Sequence, residues 1–202
     1  MERDEAESHW YVMLFPSLGE TQTLVSRFQD LAAVTGGTPN PTPHVTVGYF
    51  HGSADPQTVL DRLRPLSGPA IPVRAGGLFS WSEDPYPLSG YTLSLRVDRD
   101  EPVQRWQRAV RDVLQPLPLV PTYTWEDQCP HMLVLRHLPA PPREILARLR
   151  DREWPLSFTA SRLVVSQGVG EELVTWLDWP LQPDAPAPRT DRAPQPGDPP
   201  AR

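Results

Sequence analysis

The feature that most constrains this chain is an internal echo: Pro43-His44-Val45-Thr46-Val47 returns as Pro130-His131-Met132-Leu133-Val134. Each copy sets a histidine inside an apolar run that reads as a strand. Because a strand alternates its faces, His44 and Thr46 share one face while Val45 and Val47 turn to the other, which is apolar enough to be core. His131 and Leu133 share a face in the same way. The histidines, at 44 and 131, stand 87 residues apart, close to half of the chain able to fold. That spacing predicts a duplicated unit placing one imidazole from each half in a shared cleft, where two imidazoles would do acid and base chemistry.

The elements around the two copies repeat in order. His9 to Phe15 reads as a strand, and Thr21 to Val34 as a helix with Leu24, Phe28 and Leu31 on one face and Gly36-Gly37 as its stop. The first histidine strand follows, from His44 to Phe50. Asp55-Pro56 then opens a short helix carrying Val59, Leu60 and Leu63, and Ile71 to Trp81 is another strand. The second half begins again with a strand, Gly90 to Val97, and a helix opened by Asp100-Glu101-Pro102 that turns Val103, Trp106, Val110 and Val113 inward. The second histidine strand runs from Gln128 to Leu138, Pro141-Pro142 starts a short helix through Leu149, and Phe158 to Ser166 with Leu173 to Trp179 form a closing hairpin.

At 202 residues the chain suits one large domain or two small lobes, burying roughly 70% of its unfolded surface. Residues 1–8 are polar and expected to be loose; Pro183 to Arg202 has almost nothing apolar to bury and is expected to be disordered. The folded domain is thus 9–182, in approximate halves 9–89 and 90–182. One cysteine, Cys129, allows no internal disulfide, and no stretch resembles a membrane span or a signal peptide, which predicts a soluble cytoplasmic protein. All 19 basic side chains are arginine, so Schiff-base, nucleophilic-lysine and P-loop chemistries drop out. A net charge of −6 argues against broad binding to duplex DNA and leaves a nucleotide or an RNA end.

Either histidine alone would read as an ordinary structural residue, and Thr46 alone as an ordinary strand residue; the matched pair carries the inference. Arg136 sits at odd parity to His131, so it faces either solvent or a carboxylate on the one hand, or a phosphate on the other. His9, His51 and His137 lie at strand ends without matching neighbours and read as surface residues. Tyr123 and Trp125, before the second histidine strand, are placed to stack a nucleobase, as are Phe79 and Trp81, although core packing is the commoner use of such rings. Trp106, Trp176 and Trp179 fit buried faces. No His-x-x-x-His or Cys-x-x-Cys pair suits a metal, no Gly-x-Ser-x-Gly occurs, and Gly168-Val169-Gly170 is too short for a dinucleotide loop.

With its paired histidine strands, each preceded by a strand and helix and followed by a helix and strand, the chain resembles the 2H phosphoesterase superfamily, in particular its 2′-5′ RNA ligase-like branch. The resemblance spans essentially all of 9–182. His44-Val45-Thr46-Val47 fits the first motif fully; Pro130-His131 and Val134-Leu135-Arg136 fit the second in its flanks and trailing arginine. Leu133 departs from it, standing where the family has Thr or Ser. The resemblance implies an α+β, two-lobed, duplicated fold with antiparallel sheets facing a central cleft and helices outside. It implies a monomer without metal or cofactor that hydrolyses 2′,3′-cyclic phosphates of nucleotides or RNA ends, or runs the reverse 2′-5′ ligation. His44 and His131 would be the catalytic pair, with Thr46, Arg136, Tyr123 and Trp125 binding substrate. Losing one hydroxyl donor at Leu133 costs about 10² to 10³ in rate by analogy with oxyanion-hole deletions. Arg136, Thr122, Tyr123 or Thr124 would be its replacement. The alternative is a nucleotide or RNA-end binding protein weakened in turnover by Leu133, and a third reading is an esterase for another small phosphate.

Overall fold

Local signals in each half set where its elements begin and end. In a computed structural model describing residues 8–66, 68–122, 129–150, 154–169 and 172–182, the first half runs β1 (His9–Pro16), α1 (Leu18–Thr35), β2 (Thr38–Pro39), β3 (Val45–His51), α2 (Pro56–Leu63) and β4 (Ile71–Phe79). The second half repeats that series as β5 (Tyr91–Val97), α3 (Glu101–Leu114), β6 (Val120–Pro121), β7 (His131–Leu138), α4 (Pro142–Arg148) and β8 (Leu156–Val169). β9 (Glu172–Pro180) returns as the hairpin partner of β8. Helix α1 starts at Leu18 rather than Thr21 because Ser17 and Glu20 form a capping box that satisfies its first backbone donors. Gly36, at φ 82, closes the helix in the left-handed conformation glycine tolerates. Asp55 and Asp100 cap α2 and α3, accepting from the amides of Thr58 and Val103.

All strand pairings are antiparallel, in the order β2-β7-β5-β4-β8-β1-β3-β6 with β9 beside β8. Read backwards, the order exchanges β2 with β6, β7 with β3, β5 with β1 and β4 with β8, so it has a pseudo-two-fold centred on the β4–β8 pair. The two lobes are therefore β2-β7-β5-β4 and β8-β1-β3-β6. Each takes strands from both halves of the sequence, and the two are continuous across β4–β8. The sheet curls until β3 and β7, near its opposite ends, lie against each other. The two-residue strands β2 and β6, each ending in proline, are too short for the alternation pattern to reveal.

The face away from the cleft is the core. Trp10, Val12 and Leu14 of β1, Leu93, Leu95 and Val97 of β5, and Met132, Val134 and Leu135 of β7 are all buried there, with Leu24, Phe28 and Leu31 of α1 and Val103, Trp106 and Val110 of α3 packed in the same cluster. Each such aliphatic or aromatic side chain contributes about 1.5–3 kcal/mol of burial. Trp176, expected inside, is 43% exposed because its strand forms an outer hairpin, where its Nε1 donates to Gln167.

Candidate active site

The two histidine motifs have the same local geometry. His44 immediately precedes β3 and its Nδ1 donates to the carbonyl of Thr42 at 2.8 Å; His131 opens β7 and its Nδ1 donates to the carbonyl of Cys129 at 3.3 Å. A carbonyl only accepts, so Nδ1 holds the hydrogen and Nε2 of each neutral ring is left as the acceptor. The duplication thus extends to the hydrogen bond that selects the tautomer. Rings pack against both imidazoles: Phe15 stacks on His44 at 5.1 Å, and Phe79 and Trp81 meet His131 edge-on at 6.2 and 5.4 Å. Phe79 and Trp81 therefore hold the second histidine rather than fill the core, and Trp81 is half exposed.

Both strands then carry a β-bulge at the same place. The β1–β3 register slips between Val12↔Gly48 and Met13↔Thr46, and the β5–β7 register slips between Leu93↔Leu135 and Ser94↔Leu133. A bulge reverses the alternation beyond it. Val134 and Leu135 consequently both enter the core, and Arg136 follows on the opposite face from Leu135, near enough to His44 for its charge to act on that imidazole. Tyr49 occupies the matching position after the first bulge. Gly48 is required there, because a Cβ would stand 2.7 Å from the side chains of both Phe50 and Val110. The Arg136 Nε is buried and has no hydrogen-bond partner among the described residues.

Burial pushes the His44 imidazole down to about 4; the charges of His131 and Arg136 push the same way, against the Thr42 hydrogen bond, which favours the proton. Burial also holds His131 below the ordinary histidine value, opposed by its bond to Cys129. A cavity of about 290 Å³ opens here, lined by His131, Thr46, Leu133, Ser94, Thr92 and Cys129, with Tyr11, Tyr49, Trp81, Tyr86 and Ser89 completing its wall. Tyr11 and Tyr49 stack at 4.7 Å. His9, expected at the surface, is half-buried, with its Nδ1 3.2 Å from the Tyr49 hydroxyl.

Asn40, fully buried, ties the motifs together. Its Nδ2 donates to the carbonyl of Leu133 at 2.9 Å and to that of Thr42 at 3.3 Å, the latter being the carbonyl that anchors His44. Its own amide donates to the carbonyl of Val134 at 2.8 Å, at the bulge. Asn40→Ala removes the side-chain donor and is expected to lower stability by about 1–3 kcal/mol, read from the urea midpoint, and to loosen the Thr42 carbonyl that anchors His44. Among the described residues, no group of three or more His, Cys, Asp or Glu side chains is placed to hold a metal ion, and no helix is long and apolar enough to cross a membrane.

The sequence matches no protein-family model and no curated protein. Solved structures do match. A crystal structure described as a phosphoesterase aligns with a TM-score of 0.56 at 13% identity, covering 87% of this chain and 98% of the other. TT0787 of Thermus thermophilus aligns at 0.55 and 15% identity over 87% and 99% of the two chains. E. coli LigT complexed with 3′-AMP aligns at 0.51 and 13% identity over 87% and 98%. The fold is that of the 2H phosphoesterases.

On this 2H phosphoesterase fold, Thr46 and His131 line the cavity and His44 lies close enough to feel the charges of His131 and Arg136, whereas Tyr123 and Trp125 lie outside the described residues. The sequence reading missed Asn40, Tyr11, Tyr49 and Ser94. For Tyr49 a signal existed: two successive core residues, Val47-Gly48 and Val134-Leu135, follow each motif and mark the bulges. For Asn40 there was only an Asn-Pro turn, which does not reveal its distant acceptors.

Proposed function

We propose that this protein is a phosphoesterase that hydrolyses 2′,3′-cyclic phosphates at the end of a nucleotide or RNA, using His44 and His131 as its proton-transfer pair. The observation that carries this reading is the matched fixing of both Nδ1 atoms, which leaves Nε2 of each ring free to exchange a proton, on two imidazoles close enough for the charge of one to act on the other. In the reaction, water attacks phosphorus, one histidine takes the water proton, the bond from phosphorus to one ribose oxygen breaks, and the other histidine protonates that oxygen. The product is a ribose 2′- or 3′-phosphomonoester, with atoms and charge balanced. Thr46 donates its hydroxyl to a phosphate oxygen, and Arg136 neutralises the phosphate charge. E. coli LigT has been solved with phosphate and with 3′-AMP, ligands of the chemistry proposed for this cleft. The test is product formation from the four nucleoside 2′,3′-cyclic monophosphates, in excess EDTA, with the 2′- and 3′-phosphates resolved.

The lower proton affinity of His44 assigns it the accepting role, and His131 the donating one. His44 must be neutral to accept, which requires a pH above about 4; His131 must be protonated, which requires a pH below its own value, itself lowered from 6.5. The kcat/KM profile is therefore expected to be a bell on the acid side of neutrality, with a falling limb below pH 6.5. An anionic phosphodiester stabilises both imidazolium ions, so the kcat profile is displaced to higher pH. A kcat/KM maximum at alkaline pH contradicts this division of roles. Leu133, which faces the cleft without a hydroxyl, favours a second reading: a nucleotide or RNA-end binding protein that has lost turnover.

A further inference from the structure

Thr46 and Leu133 hold equivalent places in β3 and β7, and the residues opposite them differ in the complementary sense. Opposite Thr46 on β1 stands Met13; opposite Leu133 on β5 stands Ser94. Each pair directly follows the bulge in its ladder, so the two registers correspond residue for residue. In one lobe the hydroxyl is on the histidine strand and the apolar chain is on its neighbour. In the other lobe the apolar chain is on the histidine strand and the hydroxyl is on the neighbour.

Directly opposed residues of an antiparallel pair share a face, with Cβ atoms about 4.5–5.5 Å apart, so a hydroxyl moved across the ladder stays within a side chain's length of its former position. Ser94 is 2% exposed and lines the cavity beside His131 and Leu133, and its hydroxyl forms no hydrogen bond among the described residues. A hydroxyl at the wall of a cavity that no protein group engages is available to donate to a ligand seated there. On its other side Ser94 pairs with Phe79, the ring that meets His131 edge-on, so its strand position is fixed relative to that imidazole. Thr122 does not line the cavity, and Arg136 lies beyond the bulge.

We propose that Ser94 is a catalytic residue, donating its hydroxyl to a non-bridging oxygen of the scissile phosphate in place of the hydroxyl that Leu133 lacks. This rests on the phosphoesterase reading and deepens it: the second phosphate donor is present but has crossed to the adjacent strand.

The test compares the full-length protein with Ser94→Ala, Leu133→Thr and the double variant. Turnover of 2′,3′-cyclic monophosphates and calorimetric binding of inorganic phosphate are both read, with thermal melts as a check on folding. Ser94→Ala is expected to lower kcat by about 10² to 10³ and to weaken phosphate binding. Leu133→Thr alone is expected to change little, because the donor is already supplied. The double variant is expected to regain most of the lost kcat and phosphate affinity, which no purely structural role of Ser94 would produce. Turnover intact in Ser94→Ala overturns the proposal and leaves the phosphoesterase reading standing, as does a loss that Leu133→Thr fails to restore. A native protein that binds phosphate without turnover overturns the hydrolytic reading alone, and the binding arm still decides Ser94: weakened and restored binding supports it, unchanged binding overturns it. A native protein that neither binds phosphate nor turns over the cyclic nucleotides overturns both.

Discussion

His44→Ala and His131→Ala are each expected to reduce hydrolysis of 2′,3′-cyclic nucleotides by about 10² to 10⁴, while the double variant is little worse than either single one. Groups that act as a unit are lost as a unit: once the proton acceptor is gone, the donor has no transition state left to assist. Binding of a nucleoside monophosphate should survive in both variants, because Thr46 and Arg136 remain. His131→Ala leaves the Phe79 and Trp81 rings without the imidazole they pack against, and His44→Ala removes the stack on Phe15, so circular dichroism and melting curves belong beside the rates. Turnover that persists in both variants removes the histidine pair from the mechanism. A native protein that binds the nucleotide but does not turn it over establishes the binding-protein reading instead.

What the sequence disclosed and what it withheld follow from the range of the interactions involved. The duplication, the histidine strands and the four helices are written in short-range patterns: apolar spacing, Asp-Pro caps at residues 55–56, a Gly-Gly stop at 36–37. Those patterns put Thr46 and His131 on the faces that line the cavity. Arg136 was ambiguous because a single bulged residue reverses the count, and a bulge is set by how β7 meets β5 rather than by β7 alone. Asn40 and Ser94 were out of reach for a stronger version of the same reason. The side-chain partner of Asn40 is the Leu133 carbonyl, 93 residues away, and the relation of Ser94 to Leu133 exists only once strand order and register are known. Leu133 looked like an isolated defect in the motif; with β5 in place it has a serine directly opposite.

Arg136 offers the prediction with two independent readouts, because two distinct properties of its guanidinium are at stake. Its charge lowers the proton affinity of His44, and its planar fork suits a phosphate, which a point charge on a flexible stem matches less well. Arg136→Gln removes both, so kcat/KM is expected to fall by about 10- to 100-fold, the equivalent of one charge-assisted hydrogen bond. The acidic limb of the kcat/KM profile should move above pH 4, because His44 loses a neighbouring cation and binds its proton more readily. Arg136→Lys keeps the cation and loses the fork, so the limb stays near its native position while most of the affinity for the phosphodiester is lost. An arginine serving only the packing of β7 would move neither the limb nor the affinity for phosphate. Its buried, unpartnered Nε further predicts that Arg136→Gln costs little stability in urea: leaving a charged donor unsatisfied under the protein surface is unfavourable unless an anion completes it. The cleft therefore holds its arginine at a cost to the free protein, and an anionic substrate is the natural agent to offset it.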